Sequence, residues 1–273
     1  MNFTKTSLSF MVCCSIPFLT SCCTEQSITS KSTTSEPSTQ IANKTNNDNI
    51  VLSNNTQTDT ILTMKEDSNI TATYYDQKFL EMGFVDVQTL DPTIQVDLKY
   101  SSTDNFMGIN MYGDLHKAYL RPEIAEMVVK AQKYLKETNP EYTLVIYDAA
   151  RPLSAQRMMY NKVQGTKFTD YVAKPVNGGG YHNYGCAVDV SILYNGKPLD
   201  MGAGFDEFTE MSHIDNEKQN LEKGKLSQEA YDNRQVLRNA MKKAGFDTYK
   251  CEWWHFQHYT KQYMRSHFKS IDF

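Results

Sequence analysis

The feature that most restricts the fold of this chain is an abrupt change in composition near residue 74. No Phe, Trp or Tyr occurs from Leu19 through Thr73, and the first glycine is Gly83. Ser, Thr, Asn, Gln and Asp dominate that segment, so it cannot bury enough apolar surface to offset the entropy cost of ordering. We therefore expect residues 22–73 to be a flexible tether and residues 74–273 to form the folded domain.

Residues 1–21 have the layout of a bacterial secretory signal peptide, with Lys5 followed by a mostly apolar run from Leu8 to Leu19. The run is shorter than the roughly 20 helical residues that span a bilayer. The sequence Leu19-Thr20-Ser21-Cys22 resembles the lipobox of bacterial lipoproteins, in which the cysteine is lipidated. We expect an exported, membrane-anchored lipoprotein in the periplasm or cell envelope. Simple cleavage and free secretion is the alternative.

The net charge restricts the classes of partner that this chain can bind, and the cysteines raise the question of a disulfide. The formal net charge of -4 gives no basic surface for phosphate binding, which argues against nucleic acid. Nothing in the sequence indicates a protein partner. Export implies an oxidising compartment, in which Cys186 and Cys251 either form a disulfide or remain two small, half-buried residues.

The folded part mixes helical and strand patterns. We predict helices at 122–135, 153–163 and 227–244, and strands at 142–147, 186–194 and 251–259. Ser227 is the expected N-cap of the third helix, and Gly245 its stop. The order lacks a regular βαβ alternation, which favours an α+β domain. We expect a central, mainly antiparallel sheet flanked by helices, with the functional site on the sheet.

Metal-ligand residue types recur at a distinctive spacing. His182 precedes Asp189 by seven positions with Gly185 between them, and Glu252 precedes His255 by three positions in an aromatic segment. Two neutral imidazoles and one carboxylate, with a fourth position left for water, form an open zinc site of catalytic type. Each residue alone is weak support. Their combination predicts a zinc centre.

Longer segments extend this pattern. The chain reads Gly180-Tyr181-His182-Asn183-Tyr184-Gly185-Cys186-Ala187-Val188-Asp189 and Glu252-Trp253-Trp254-His255-Phe256. Further matching segments are 118–122, 148–152 and 200–206. Together they resemble the D-Ala-D-Ala dipeptidase family, the VanX-type branch of the zinc D,D-peptidases, over nearly all of residues 80–260.

The resemblance implies a hydrolase with one zinc ion per chain that cleaves the D-Ala-D-Ala dipeptide in cell-wall peptide metabolism. Carried over by position, the implied site residues are His182, Asp189 and His255 on zinc, Glu252 as the general base for the bound water, Arg151 on the oxyanion, and Asp206 on the substrate ammonium group. One departure is Gly180, which stands where the family often has Ser. A hydroxyl contact to substrate is then missing or supplied elsewhere.

Two other functions stay open from the sequence. One is a D,D- or L,D-carboxypeptidase that acts on longer muropeptides and needs an open groove. The other is a non-catalytic, zinc-containing module that binds wall fragments. The pairing of Glu252 with Arg151 argues against a pure binding module, because such a module needs no base beside its metal.

Local geometry adds one further expectation. Glu252 and His255 would point to opposite faces of a regular strand, so we predict a bend or bulge between them. We expect Trp253–Trp254 to pack in the core or at the rim of the site, with lining of the pocket as the alternative. Asp148 either orients Arg151 or caps the end of its strand, and the sequence does not separate these roles.

Overall fold

The computed structural model describes residues 73–273. The predicted signal peptide (1–21), nearly all of the predicted tether (22–73) and the lipidation site Cys22 therefore lie outside the described residues. The lipid anchor, the export and the domain division stay predictions. Within the described part, none of the helices has the length and apolar character needed to cross a membrane.

Helices and short strands alternate irregularly along residues 73–273. The α-helices are α1 (Tyr74–Glu81), α2 (Val87–Leu90), α3 (Pro122–Thr138), α4 (Leu153–Val163), α5 (Glu217–Glu222), α6 (Gln228–Lys243) and α7 (Lys261–His267). The strands are β1 (Val85–Asp86), β2 (Gln95–Val96), β3 (Tyr119–Leu120), β4 (Tyr142–Asp148), β5 (Ala187–Tyr194), β6 (Lys197–Pro198), β7 (Asp247–Tyr249) and β8 (Glu252–Gln257). Four 3-10 turns complete the described elements, at Lys99–Ser101, Thr169–Tyr171, Tyr181–Tyr184 and Glu210–Ser212.

The main sheet has the strand order β2-β4-β5-β8-β7, and the short strand β6 also pairs with β5. The pair β2–β4 is parallel, whereas the pairs β4–β5, β5–β6, β5–β8 and β7–β8 are antiparallel. A separate two-stranded sheet joins β1 and β3. The prediction of an α+β domain with a mainly antiparallel sheet is confirmed.

Two long helices flank the sheet and pack against each other. In α3, Pro122 occupies the first turn, where its missing N–H costs nothing, and Ile124, Val128 and Leu135 recur on one buried face. In α6, the Ser227 side chain accepts a hydrogen bond from the Ala230 N–H at 3.0 Å. Apolar periodicity and capping residues thus determine both helices as the sequence predicts.

The two central strands form the middle of the core. The sheet buries β4 from Leu144 to Asp148 and β5 from Ala187 to Ile192. Full burial of each aliphatic side chain contributes about 1.5–3 kcal/mol relative to exposure. Burial on both faces requires an unbroken apolar run, so the polar Asp148 and Asp189 within these strands need a specific reason to be there.

Strand β8 contains the irregularity that the sequence predicts. Thr248 pairs with Phe256, but the next residue, Tyr249, pairs with Glu252. One step along β7 therefore corresponds to four along β8, so the strand bulges between Glu252 and His255. Trp253 and Trp254 are buried within the bulge, 4% and 1% exposed, as core residues.

Cys186 and Cys251 lie on either side of this region. Both are buried, and no disulfide joins these two described residues. The alternative without a disulfide therefore holds, although both side chains are buried rather than half-buried as the sequence predicts. Burial raises the pKa of the Cys186 thiol to about 12, which keeps it protonated and chemically inert.

Candidate active site

Three side chains with metal-ligand atoms converge near the start of the central strand β5. His182 lies in the 3-10 turn before β5, and Asp189 and His255 are direct cross-strand partners in β5 and β8. His182 Nε2 lies 3.1 Å from His255 Nδ1 and 3.3 Å from Asp189 Oδ1. His255 Nδ1 lies 3.1 Å from the same carboxylate oxygen. Among the described residues, this trio could hold a metal ion.

The far nitrogen of each imidazole already has an acceptor. His182 Nδ1 lies 2.8 Å from the Ala149 carbonyl oxygen, and His255 Nε2 lies 3.1 Å from Gln257 Oε1. A proton on each of these nitrogens leaves the facing nitrogens with lone pairs directed at one point. Three acceptor atoms within 3.3 Å of one another repel unless a cation lies between them. The donor set therefore fits a metal ion, and its N and O ligands suit zinc.

Charge in this cluster is strongly coupled. Burial opposes ionisation of Asp189, but His182 and His255 outweigh it and hold the pKa of Asp189 well below its usual range. Burial also lowers the pKa of His182, but Asp189 and Asp148 outweigh that effect and raise it. The cluster thus attracts positive charge, which a proton or a metal cation can supply.

Gly185 explains how a histidine turn can lead directly into β5. Its φ is +65°, and its N–H bonds the His182 carbonyl at 3.0 Å to close the 3-10 turn. A Cβ at this position would lie 2.2 Å from a ring carbon of Phe84. Only glycine fits both the left-handed backbone and this close approach. The turn is also fixed from outside, because the Ile271 N–H donates to the Asn183 carbonyl at 2.7 Å.

Glu252 lies beside the trio, at the start of the β8 bulge. Its Oε2 is 3.9 Å from His255 Nδ1, and its side chain is 11% exposed. Burial is the main cause that raises the pKa of Glu252 to about 8, and Asp189 and Asp206 add to it. A carboxyl with a pKa near neutrality can both accept and return a proton.

Arg151 is held by a set of buried acceptors. Its Nε and one terminal nitrogen donate to Asp148 Oδ2 at 3.0 and 2.5 Å, and the other terminal nitrogen donates to Gln156 Oε1 at 2.9 Å. Asp148 therefore orients Arg151, which settles the choice that the sequence left open. The guanidinium also lies over the Tyr100 ring at 5.1 Å. A guanidinium has five N–H groups, so it can hold these acceptors and still donate to a substrate oxygen.

Asp206 is a buried carboxyl with half of its bonding capacity unused. Its Oδ1 accepts from the Tyr100 hydroxyl at 3.0 Å, whereas its buried Oδ2 has no hydrogen-bond partner among residues 73–273. Burial, and then the charge of Asp189, raises the pKa of Asp206 to about 8. Its backbone adopts φ +59°, which is uncommon outside glycine. Such an arrangement is costly without a ligand, which indicates a binding role.

The structure brings five of the predicted site residues into one constellation, with Asp206 linked through Tyr100. Cys22 lies outside the described residues. Sequence reasoning missed Tyr100, Tyr112, Gln156 and Gln257, which orient the site residues. Of these, Gln257 could have been predicted from the sequence. It lies two residues after His255, and residues two apart in a strand share a face.

Gly180 marks the departure from the family pattern. Its N–H bonds the Asn183 side chain at 2.9 Å, and a Cβ there would lie 3.0 Å from the Ala173 Cβ. A serine at this position would therefore require Ala173 to shift. The absence of a serine hydroxyl at position 180 therefore agrees with the close packing of Gly180 against Ala173.

An α+β domain that places two imidazoles, two carboxylates and a guanidinium in one buried cluster has the arrangement of a metal-dependent hydrolase. Residues 80–272 match the family Peptidase_M15, described as D-ala-D-ala dipeptidase. The chain belongs to this family, which makes it a peptidase.

Three relatives of this chain are named D-alanyl-D-alanine dipeptidase. The one from Escherichia coli (strain K12) is 33% identical over 174 residues, which cover 63% of this chain and 83% of the relative. The one from Enterococcus faecium is 29% identical over 210 residues, covering 69% and 98%. That from Enterococcus faecalis (strain ATCC 700802 / V583) is 26% identical, with the same coverage.

Proposed function

We propose that this protein is a zinc-dependent dipeptidase that hydrolyses D-Ala-D-Ala, with Glu252 as general base. The convergence of the three acceptor atoms of His182, Asp189 and His255 is the observation that carries the proposal. Family membership and the names of the relatives support the substrate. A zinc ion on these ligands would lower the pKa of a water molecule and polarise the scissile carbonyl.

Glu252 performs the proton transfers. Its carboxylate takes a proton from the attacking water as the C–O bond forms, and returns it to the leaving amine as the C–N bond breaks. The products are two D-alanine molecules, so atoms and charge balance. A cation on the neighbouring ligands would lower the pKa of Glu252, because opposite charge favours the ionised form. The base is then ionised near neutral pH.

Arg151 and Asp206 orient the dipeptide. The guanidinium of Arg151 donates to the carbonyl oxygen as negative charge develops on it. Asp148 and Gln156 prevent the guanidinium from rotating away. The substrate ammonium group would lower the pKa of Asp206, because opposite charge favours the ionised form. Oδ2 of Asp206, which otherwise has no partner, then accepts a charge-assisted hydrogen bond from that group. This contact requires a free amino terminus.

Hydrolysis of D-Ala-D-Ala and of its N-acetylated form by the zinc-loaded protein tests the proposal. We expect efficient cleavage of the free dipeptide and poor cleavage of the acetylated one. Equal or faster cleavage of the acetylated form would indicate a carboxypeptidase. Full zinc loading without hydrolysis of any muropeptide would indicate a binding module.

Glu252→Gln tests the base. We expect turnover to fall by about 10²–10⁴-fold, the range for loss of a general acid–base group. Zinc content should be unchanged, because Glu252 is not a proposed ligand. Glu137→Gln, an exposed substitution of the same type, is the matched control and should keep full turnover. Retained activity in the Glu252 variant would contradict the assignment.

A further inference from the structure

The segment 199–212, here called the Asp206 loop, follows β6 and ends with the 3-10 turn at Glu210–Ser212. It contains Asp206. One side of this loop borders a cavity. Residues 199–205 line a cavity of about 600 Å³ together with Trp253 and other side chains. None of the proposed metal ligands, nor Glu252 or Arg151, lines it. Apolar contacts hold part of the loop, because Phe205 packs against Tyr147 and Trp254, and polar contacts from helix α6 add to them.

Arg234, in helix α6, holds the loop at both ends. Its Nε donates to the Met201 carbonyl at 2.6 Å, and a terminal nitrogen donates to the Met211 carbonyl at 2.8 Å. The Arg234 side chain is 1% exposed. Asn233, its neighbour in α6, adds a hydrogen bond to the Asp200 carbonyl at 2.9 Å. One buried guanidinium thus fixes the distance between the two ends of the loop.

Glu217 neutralises the buried guanidinium. Its Oε1 lies 3.3 Å from Arg234 and 2.6 Å from Arg238. The side chain of Arg238 is 15% exposed and bonds Glu217 and Gln235. None of the hydrogen bonds that the structure gives Arg238 reaches the Asp206 loop. The two arginines therefore share one acidic partner and differ in contact with the loop.

We propose that Arg234 is a positioning residue that sets the requirement for a free amino terminus, by holding the Asp206 loop so that Asp206 reaches the substrate ammonium group. The inference rests on the proposed function, in which Asp206 receives that group. Asp206 makes a directional bond from a left-handed backbone, so a small shift of the loop removes it. Lysine cannot replace Arg234, since one ammonium group cannot span both carbonyls in the planar fork of a guanidinium.

The test measures kcat and KM for D-Ala-D-Ala and N-acetyl-D-Ala-D-Ala in wild type, Arg234→Lys, Arg234→Met and Arg238→Met. We expect the Arg234 variants to lose about 10- to 100-fold in kcat/KM for the free dipeptide, mainly through KM, the size of a charged hydrogen bond. The value for the acetylated form should stay constant, so the selectivity ratio falls. Arg238→Met should keep the ratio within about twofold, because it leaves the loop contacts intact.

Two further readouts separate positioning from a general loss of structure. Zinc content and melting temperature identify a variant that has not folded, and Arg234→Lys, which keeps the charge beside Glu217, serves where Arg234→Met fails. Calorimetric binding of D-Ala-D-Ala in a Glu252→Gln background should weaken when Arg234→Lys is added. Equal selectivity in folded Arg234 variants and wild type would overturn the inference alone. A wild type that does not discriminate the two dipeptides would instead overturn the proposed role of Asp206.

Discussion

At the scale of single residues, Asp148 links the two halves of the site. Its side chain is fully buried, and Oδ2 holds Arg151 while lying 3.3 Å from His182 Nδ1. Its other oxygen accepts from the Tyr112 hydroxyl at 2.5 Å. One carboxylate therefore contacts both Arg151, which is proposed to stabilise the oxyanion, and His182, which is a proposed metal ligand.

We predict that Asp148→Asn destabilises the protein by about 3–5 kcal/mol, the cost of leaving one partner of a buried ion pair uncompensated. Urea unfolding at neutral pH measures the change. Asp272→Asn is the matched control, because its pair with Arg157 is about half exposed and should contribute at most about 1 kcal/mol. Similar small losses in both variants would show that Asp148 is not needed for stability.

The sequence alone indicates the residues that are proposed to act directly, but not those that hold them in place. The spacing of metal-ligand residue types along the chain indicates four of them: His182, Asp189, Glu252 and His255. Tyr100 and Tyr112 come from the irregular segment 97–118, which has no periodicity to indicate where a side chain points. Their roles depend on partners 106 and 36 residues away. Such contacts appear only once the chain has folded.

At the scale of elements, the turn that ends at Gly185 connects His182 to β5. We predict that Gly185→Ala costs more than the roughly 1–2 kcal/mol of placing alanine in the left-handed region, because its Cβ also meets Phe84. Gly83→Ala is the matched control. Gly83 has φ +78° with nothing within 4 Å, so it should show the backbone cost alone. Equal melting temperatures of the two variants would contradict the packing argument.

Helix α1 has a cap whose stability should depend on pH. Burial opposes ionisation of Asp76, but bonds from Lys117, Tyr119 and the Thr73 N–H outweigh it and lower the pKa of Asp76 below its usual value. Asp76 therefore stabilises the fold above the ordinary pKa of about 3.9, and this stabilisation is lost as the pH falls through the lowered value.

We predict that Asp76→Asn flattens the fall in the free energy of unfolding below about pH 4, near the ordinary aspartate pKa. Urea titrations at a series of acidic pH values measure this slope. Asp86→Asn should change the slope in the opposite direction and at higher pH, from about pH 4 upward, because burial raises the pKa of Asp86. An unchanged slope in the Asp76 variant would refute the cap argument.

The long elements follow from the sequence, whereas the shortest do not. Helices α3, α4 and α6 and strands β4, β5 and β8 each have enough residues to display a period. Strands β1, β2 and β3 have two residues each, so no alternation exists to read. They are strands because of their partners, as where Gln95 pairs with Val145 in the parallel β2–β4 pair. Pairing of that kind is a property of the fold.

At the scale of the whole molecule, a metal ion that binds the native state should stabilise the fold. Binding at a concentration of 1,000 times Kd adds about 4 kcal/mol to the free energy of unfolding. We predict that a chelator lowers the melting temperature of the wild type but not of Asp189→Asn. Asp97→Asn, an exposed acid away from the trio, is the control and should respond as the wild type does. A wild-type melting temperature that ignores both chelator and zinc would contradict the metal site.

Asp189 and His255 are adjacent in space but 66 residues apart in the chain. A polypeptide synthesised only as far as α6 possesses two of the three proposed ligands and lacks Glu252. It has neither the complete set of proposed ligands nor the proposed base until β8 pairs with β5. A metal ion held by all three proposed ligands would therefore report that the C-terminal strand has taken its place in the sheet.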